Sequence, residues 1–182
     1  MQRAKYLYLS IIILCLVIIS GCIYYVLGGF DPVEVYFFDG PAERTVIGKE
    51  YFLPANDNSK EYNDRMTKAW QAIQDGTLKG QLTSVIYEND TLSDDSIHCF
   101  IGASFDEIKG VMRMPAGYEY RQFTTNRIYK IFVTQHALAR PTPEENEQLL
   151  QVRSIEEGEV LQPYTFELYY EDNSLSIEKW VK

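Results

Sequence analysis

The sequence holds only two histidines, His98 and His136, and three cysteines, and neither set is spaced to hold a metal. Cys15 and Cys22 lie in an apolar segment near the N-terminus, so Cys99 is alone in the remainder. An internal disulfide or a CxxC pair is therefore excluded there. No Gly-x-Ser-x-Gly elbow occurs, and no glycine-rich phosphate loop follows a strand-like run. The acidic pairs Asp94-Asp95, Glu144-Glu145 and Glu156-Glu157 lack the spacing of a calcium loop. Positive charge is scarce as well. The chain has 17 Lys and Arg against 26 Asp and Glu, a net charge of −9. No acid precedes Asp31, and Arg3 and Lys5 are the only bases there, so the rest carries 15 positive and 26 negative charges, a net of −11. Such a surface repels the phosphates of nucleic acid and of anionic lipids, and it suits cationic or neutral partners. Neither a nucleic-acid partner nor a cofactor is expected.

What the chain has in quantity is tyrosine, 14 residues in 182, within an apolar share of 46%. The length leaves room for one domain and an anchor. Tyr6 to Leu27 is uncharged, and a helix needs about 20 such residues to span a bilayer. Tyr6, Tyr8, Tyr24 and Tyr25 sit near its ends, as in an aromatic belt. Arg3 and Lys5 before it, with Asp31 and Glu34 after it, place residues 1–5 in the cytoplasm and the rest outside. The expectation is a single-pass transmembrane anchor over residues 6–27. An alternative stays open: Ile19-Ser20-Gly21-Cys22 resembles a lipoprotein signal ending at residue 21, with Cys22 as the lipidated N-terminus. Against it, Ile23 to Leu27 remains apolar after the cysteine. A short juncture and a first strand fill residues 28–43, and the main domain covers 44–182.

Phe166 to Asn173, FELYYEDN, has a weak echo in Ser84 to Asp90, SVIYEND, at an offset of 83 residues. Both are apolar and aromatic runs ending in an acidic, Asn-bearing turn, the way a strand enters a hairpin. Val33 to Phe38 and Arg44 to Phe52 read as strands. Ser59 to Gln74 reads as a helix, with Asn58 and Glu61 at capping-box spacing and Tyr62, Met66, Ala69, Trp70 and Ile73 as one apolar stripe. Leu82 to Glu88 and Ile97 to Ser104 are strands around an acidic loop, where Asn89-Asp90-Thr91 is formally a glycosylation sequon. Tyr118 to Thr124 and Asn126 to Val133 are extended. Thr142-Pro143-Glu144-Glu145 opens a second helix with an N-cap, a proline at the first position and a glutamate three residues after the cap. Its thin stripe of Leu149, Val152 and Ile155 suits a surface helix. Tyr164 to Glu171 and Ser174 to Val181 close the chain as a hairpin. The fold class expected is α+β: two tandem strand–helix–strand–strand units in one antiparallel sheet, with helices on one face and a ligand groove on the other.

That order, with Met114-Pro115-Ala116-Gly117-Tyr118 opening the second half and Phe166-Glu167-Leu168-Tyr169 near the end, resembles the GyrI-like effector-binding domain over roughly residues 44–181. Two departures stand out. No helix-turn-helix precedes the domain, and Thr124-Thr125-Asn126 replaces a His-x-Gly stretch common in the family. The resemblance implies a small-molecule pocket in which the carboxylate matching Glu167 meets cationic ligands. Strand alternation puts Tyr169 on the same face as Glu167, and Phe100, His98 and Tyr118 are candidate walls. The function expected is non-catalytic binding of a cationic or aromatic small molecule by a membrane-anchored domain outside the cytoplasm. The alternatives are an adaptor that holds another protein on the same domain, and a Glu-dependent hydrolase. For the last, a lone carboxylate lacks the partner that acid–base chemistry needs.

Overall fold

The computed structural model describes residues 2–54, 59–88, 96–105, 114–136 and 138–182; side chains of residues 2–5, 7, 9, 54 and 59 are not among those described. The expected cap at Asn58, the sequon at Asn89 and the acidic pair Asp94-Asp95 lie outside them. The elements run α1 (Gln2–Val26), β1 (Val35–Pro54), α2 (Ser59–Gln74), β2 (Gln81–Tyr87), β3 (Ser96–Phe105), β4 (Glu119–Val133), α3 (Pro143–Glu156), β5 (Leu161–Tyr169) and β6 (Leu175–Val181). After α1 the order is strand, helix, strand, strand, twice.

The two strand segments expected at the start of the first half are one long strand. Val35 to Pro54 is one strand of 20 residues with a register shift between Asp39 and Ala42. Asp39-Gly40-Pro41 therefore makes a bulge, which bends a strand without ending it. The division drawn at residues 43 and 44 falls inside β1. Tyr118 to Val133 likewise gives one strand, β4.

The sheet is not the open layer expected from sequence. Its strands close into a barrel in the order β1-β3-β2-β5-β6-β4. Closure comes from β1, whose residues Thr45 to Gly48 pair with β3 on one side and β4 on the other. A closed sheet leaves no long unpaired edge. The face opposite the helices is therefore an interior. Val46, Val85, Phe100, Phe123, Phe166, Leu168 and Trp180 fill it, so among the described residues no open groove runs along that face. Outside the barrel, α2 covers Leu82, Cys99 and Ile101 with Met66 and Ala69. On the other half, α3 places Leu150 over Tyr129, Ile131 and Ile177.

Helix starts follow their local signals. Thr142 caps α3 as a full capping box with Glu145, and Pro143 takes the first helical turn. The stripe of α3 differs from the expected one. Asn146, Leu150 and Ser154 face the barrel, while Leu149, Val152 and Ile155 are exposed. Helix α1 ends at Val26, and Gly28 just beyond it has a φ of 77°, which suits a helix C-terminus. The backbone N–H of His136 donates to the carbonyl of Leu27 at 3.1 Å, tying the helix end to the domain. The described side chains of α1, from Ile11 to Val26, are largely exposed. Among the described residues, no helix is long and apolar enough to cross a membrane.

Candidate functional site

Strand β5 sorts its side chains by alternation. Phe166 and Leu168 enter the barrel interior, while Tyr169 joins the layer beneath α2. Glu167 shares that outer side. The assignment expected from sequence was the reverse, with the apolar pair under the helices. Phe166 is fully buried in the interior.

Helix α2 brings Tyr62 onto this face. The Tyr62 hydroxyl donates to Glu167 Oε2 at 3.0 Å, and the Tyr169 hydroxyl donates to the same oxygen at 2.5 Å. The two hydroxyls are 3.5 Å apart. Burial raises the Glu167 carboxyl above the usual carboxylate range, and the two phenol hydrogen bonds pull it partly back. Burial, followed by the nearby carboxyl, pushes both phenols well above their ordinary value. Cys99, in the same layer, is pushed up to about 12 by burial and by Glu167, so its thiol is inert near neutrality. Buried Ser84 stands across the ladder from Glu167. Among the described residues no Lys, Arg or His pairs with Glu167; its partners are the two phenols.

The structure brings Glu167 and Tyr169 together and places the other three candidates elsewhere. Phe100 is fully buried inside the barrel, on the other side of the sheet, with the Arg121 guanidinium 4.5 Å from its ring centre. His98 lies between the rings of Phe52 and Tyr87, at 4.3 and 4.5 Å, and meets Glu50 at 2.7 Å. Tyr118 packs near Ile47, Ala72 and Leu78 with Lys49 Nζ 4.4 Å from its ring centre. Tyr62 and Trp70 were legible in sequence only as core members of the α2 stripe. The hint was a hydroxyl on an apolar stripe, since a buried tyrosine oxygen needs a partner.

A cleft of about 870 Å³ opens beside this cluster. Trp70, Leu82 and Tyr169 are among its lining residues, and Glu167, which accepts from the Tyr169 hydroxyl, is not. Val26 and Leu27, at the end of α1, form another wall. The β5–β6 turn, Tyr170 to Ser174, supplies Glu171 and Asp172. Among the described residues no group of three or more His, Cys, Asp or Glu is placed to hold a metal.

No family model matches the chain, and no curated protein sequence matches it. Solved structures do. The chain is similar to SAV2435, whose structure holds tetraphenylphosphonium, at 11% identity over 83% of this chain and 94% of that one, with a TM-score of 0.52. It is also similar to EcmrR in a DNA complex, at 11% identity over 100% of this chain and 70% of that one, with a TM-score of 0.56. At this identity the likeness shows the fold.

Proposed function

We propose that the chain is a GyrI-like effector-binding domain that binds a lipophilic, aromatic or cationic small molecule without transforming it. The observation carrying this reading is the Glu167 carboxyl, enclosed under α2 between two phenols and lacking a basic partner among the described residues. A buried carboxyl without a counter-charge is a costly arrangement that a cation relieves. Trp70, Tyr62 and Tyr169 supply aromatic faces for the cation's apolar body. Similarity in fold to SAV2435, which holds tetraphenylphosphonium, agrees with this ligand class. Catalysis is not part of the reading, because both phenols that touch Glu167 are held protonated and, among the described residues, no further acid–base group hydrogen-bonds to it.

The reading includes the anchor. Tyr6 to Leu27 carries no charge, and nearly all of it lies in α1, about the 20 residues a span requires. Arg3 and Lys5 keep the N-terminus in the cytoplasm, so the domain lies on the extracytoplasmic side. An adaptor role is the second reading, favoured by Leu149, Val152 and Ile155, which α3 leaves exposed.

The test is titration of tetraphenylphosphonium into the full chain and its Glu167→Gln variant. Loss of the charge with retention of shape should weaken binding by about 1–3 kcal/mol. Equal affinity in the two proteins removes Glu167 from the site.

A further inference from the structure

One rim of the barrel is shaped by two breaks in register. Between β1 and β4, the pairs Asp39–Arg127 and Ala42–Thr125 leave Gly40, Pro41 and Asn126 between them. Between β5 and β6, the pairs Leu161–Val181 and Thr165–Lys179 leave Gln162 in a second gap. Such breaks turn side chains out of the ladder, and they are common at barrel rims beside functional sites. Both border one cavity of about 480 Å³, inside the range of roughly 300–1,000 Å³ typical of small-molecule sites. Thr124-Thr125-Asn126, where the sequence departs from the GyrI-like pattern, lines this cavity. The Thr125 hydroxyl donates to the Val181 carbonyl at 2.7 Å and accepts from the Arg127 backbone N–H at 3.2 Å. Those bonds fix the break from within and leave Asn126 exposed.

The polar groups say what class of ligand fits. Asn126 and Gln162, the latter half-buried, both line the cavity, and among the described residues neither amide hydrogen-bonds to the protein. Each amide can donate twice and accept twice. Thr124 adds an exposed hydroxyl. The two charged side chains in the lining are Glu43, which already accepts from Gln122 at 2.5 Å, and Lys182. They balance each other, so the lining selects no ligand by the sign of its charge. Recognition rests on paired donors and acceptors. Neighbouring hydroxyls, each donor and acceptor at once, match that set. Pro41, Ala42 and Val181 add apolar surface for the C–H face of a ring.

The geometry points to this rim cavity as a site for a neutral polyhydroxylated ring molecule, a sugar of one or two rings. Asn126 from β4 and Gln162 from β5 hold its hydroxyls, and Glu43 accepts from another. The cavity shares no lining residue with the cleft beside α1. It requires neither the Glu167 carboxyl nor the anchor, and its ligand is uncharged.

The experiment uses the full chain in phosphatidylcholine nanodiscs, with empty discs subtracted. Saturation-transfer NMR titrates maltose and fully O-methylated maltose, which keeps both rings and loses every O–H. Maltose should saturate one site per chain, and the methylated form should neither saturate nor displace it. Asn126→Ala and Gln162→Met should each weaken maltose by at least about fivefold, the scale of one lost hydrogen bond, and together abolish saturation. Both variants should keep the native urea midpoint, since neither amide bonds to the protein. Absence of saturable maltose binding overturns the proposal, as does equal binding of the methylated form or full affinity in the double variant. If Gln162→Met does not fold, unchanged affinity in Asn126→Ala overturns it instead. Glu167→Gln should leave maltose affinity unchanged, and tetraphenylphosphonium should not displace the sugar. Loss or displacement there would put the sugar at the carboxyl and overturn the rim site. A tetraphenylphosphonium affinity that ignores Glu167, with maltose dependent on Asn126, would sink the carboxyl reading alone.

Discussion

Ser84 and Glu167 face each other across the β2–β5 ladder, where the two three-stranded halves of the barrel meet. They are 83 residues apart, the same offset that relates Tyr87 to Tyr170 in the sequence echo. Both tyrosines pack against the same interior cluster. The strand order β1-β3-β2 followed by β4-β6-β5 from the opposite end repeats one arrangement in each half. At the junction the halves differ: one offers a hydroxyl and the other a carboxyl. The helices differ in step, because Tyr62 of α2 reaches the carboxyl while α3 buries Asn146 and Leu150 over the other half.

The burial of Glu167 makes stability depend on pH in a direction opposite to that of most carboxylates. Its folded-state pKa is raised, whereas the unfolded chain ionises near about 4.3. Between those values the folded state binds more protons, so stability is fullest below the lower value and falls as pH rises through the window. Glu167→Gln removes the titration and keeps an acceptor for both phenols. Urea unfolding of the two proteins from pH 4 to pH 7 should show the variant gaining on the native chain as pH rises. Parallel curves would mean that the carboxyl is compensated in the fold.

Element positions were legible in the sequence because their causes are local. The Thr142-Pro143-Glu145 cap and the Tyr62 to Ile73 stripe sit where the structure has α3 and α2. The side of the sheet was not legible for β5. Alternation separates Phe166 and Leu168 from Glu167 and Tyr169, but it does not say which set meets a helix. That depends on barrel closure, a pairing of β1 with β4 between residues as far apart as Val35 and Ile131. Before closure there is no interior to compete for the apolar set. Phe100 was grouped with Glu167 for the same reason, although the finished sheet separates them. Tyr62 was hidden because its ring packs as a core residue while only its oxygen serves the site.

Gly102 should tolerate no side chain. It faces Gly48 across the β1–β3 ladder, and a Cβ on Gly102 would lie 1.9 Å from the Ile47 carbonyl oxygen and 2.4 Å from Gly48 Cα. Both obstacles are backbone, so relief requires the strands to part. Gly102→Ala should lower stability by about 1–3 kcal/mol, the scale of core overpacking. Gly76→Ala is a poor control because its φ is 78°. Gly21→Ala, with open space around it, is a fair one. A chemical unfolding midpoint for Gly102→Ala equal to that of Gly21→Ala would mean that the β1–β3 approach is not tight in solution.

The barrel interior contains an ion pair whose partners should be strongly coupled. Glu178, 2% exposed, accepts from Arg44 at 2.6 Å and from the Trp180 indole at 3.2 Å. The Arg44 guanidinium carbon lies 5.4 Å from the Phe166 ring centre and 5.6 Å from that of Trp180. Lys130 Nζ lies 3.4 Å from the other Glu178 oxygen, so removing Glu178 takes a carboxylate from both cations. Glu178→Gln should cost about 3–5 kcal/mol, and Arg44→Met in the same chain should recover much of it. A double-mutant cycle in urea measures the coupling. Additive losses would show that the two residues act independently.

Lys179 gives the opposite pH signature beneath α3. It is 1% exposed, contacts Glu88 and lies 3.7 Å from Glu147 of the helix. Burial lowers its pKa to about 8 despite those carboxylates. The carboxylate side chains are 44% and 43% exposed, so water screens the attraction they exert. The unfolded chain holds this proton up to about 10.4. Between the two values the unfolded state binds more protons, and stability therefore rises with pH across that window. Below about 8 the charged ammonium carries its full burial cost. Lys179→Met keeps the length and removes the charge. It should raise stability at pH 7 by up to about 3 kcal/mol, and that gain should shrink steadily as the comparison is repeated toward pH 10. A variant less stable than the native chain at pH 7 would show that Glu88 and Glu147 outweigh the burial of the ammonium.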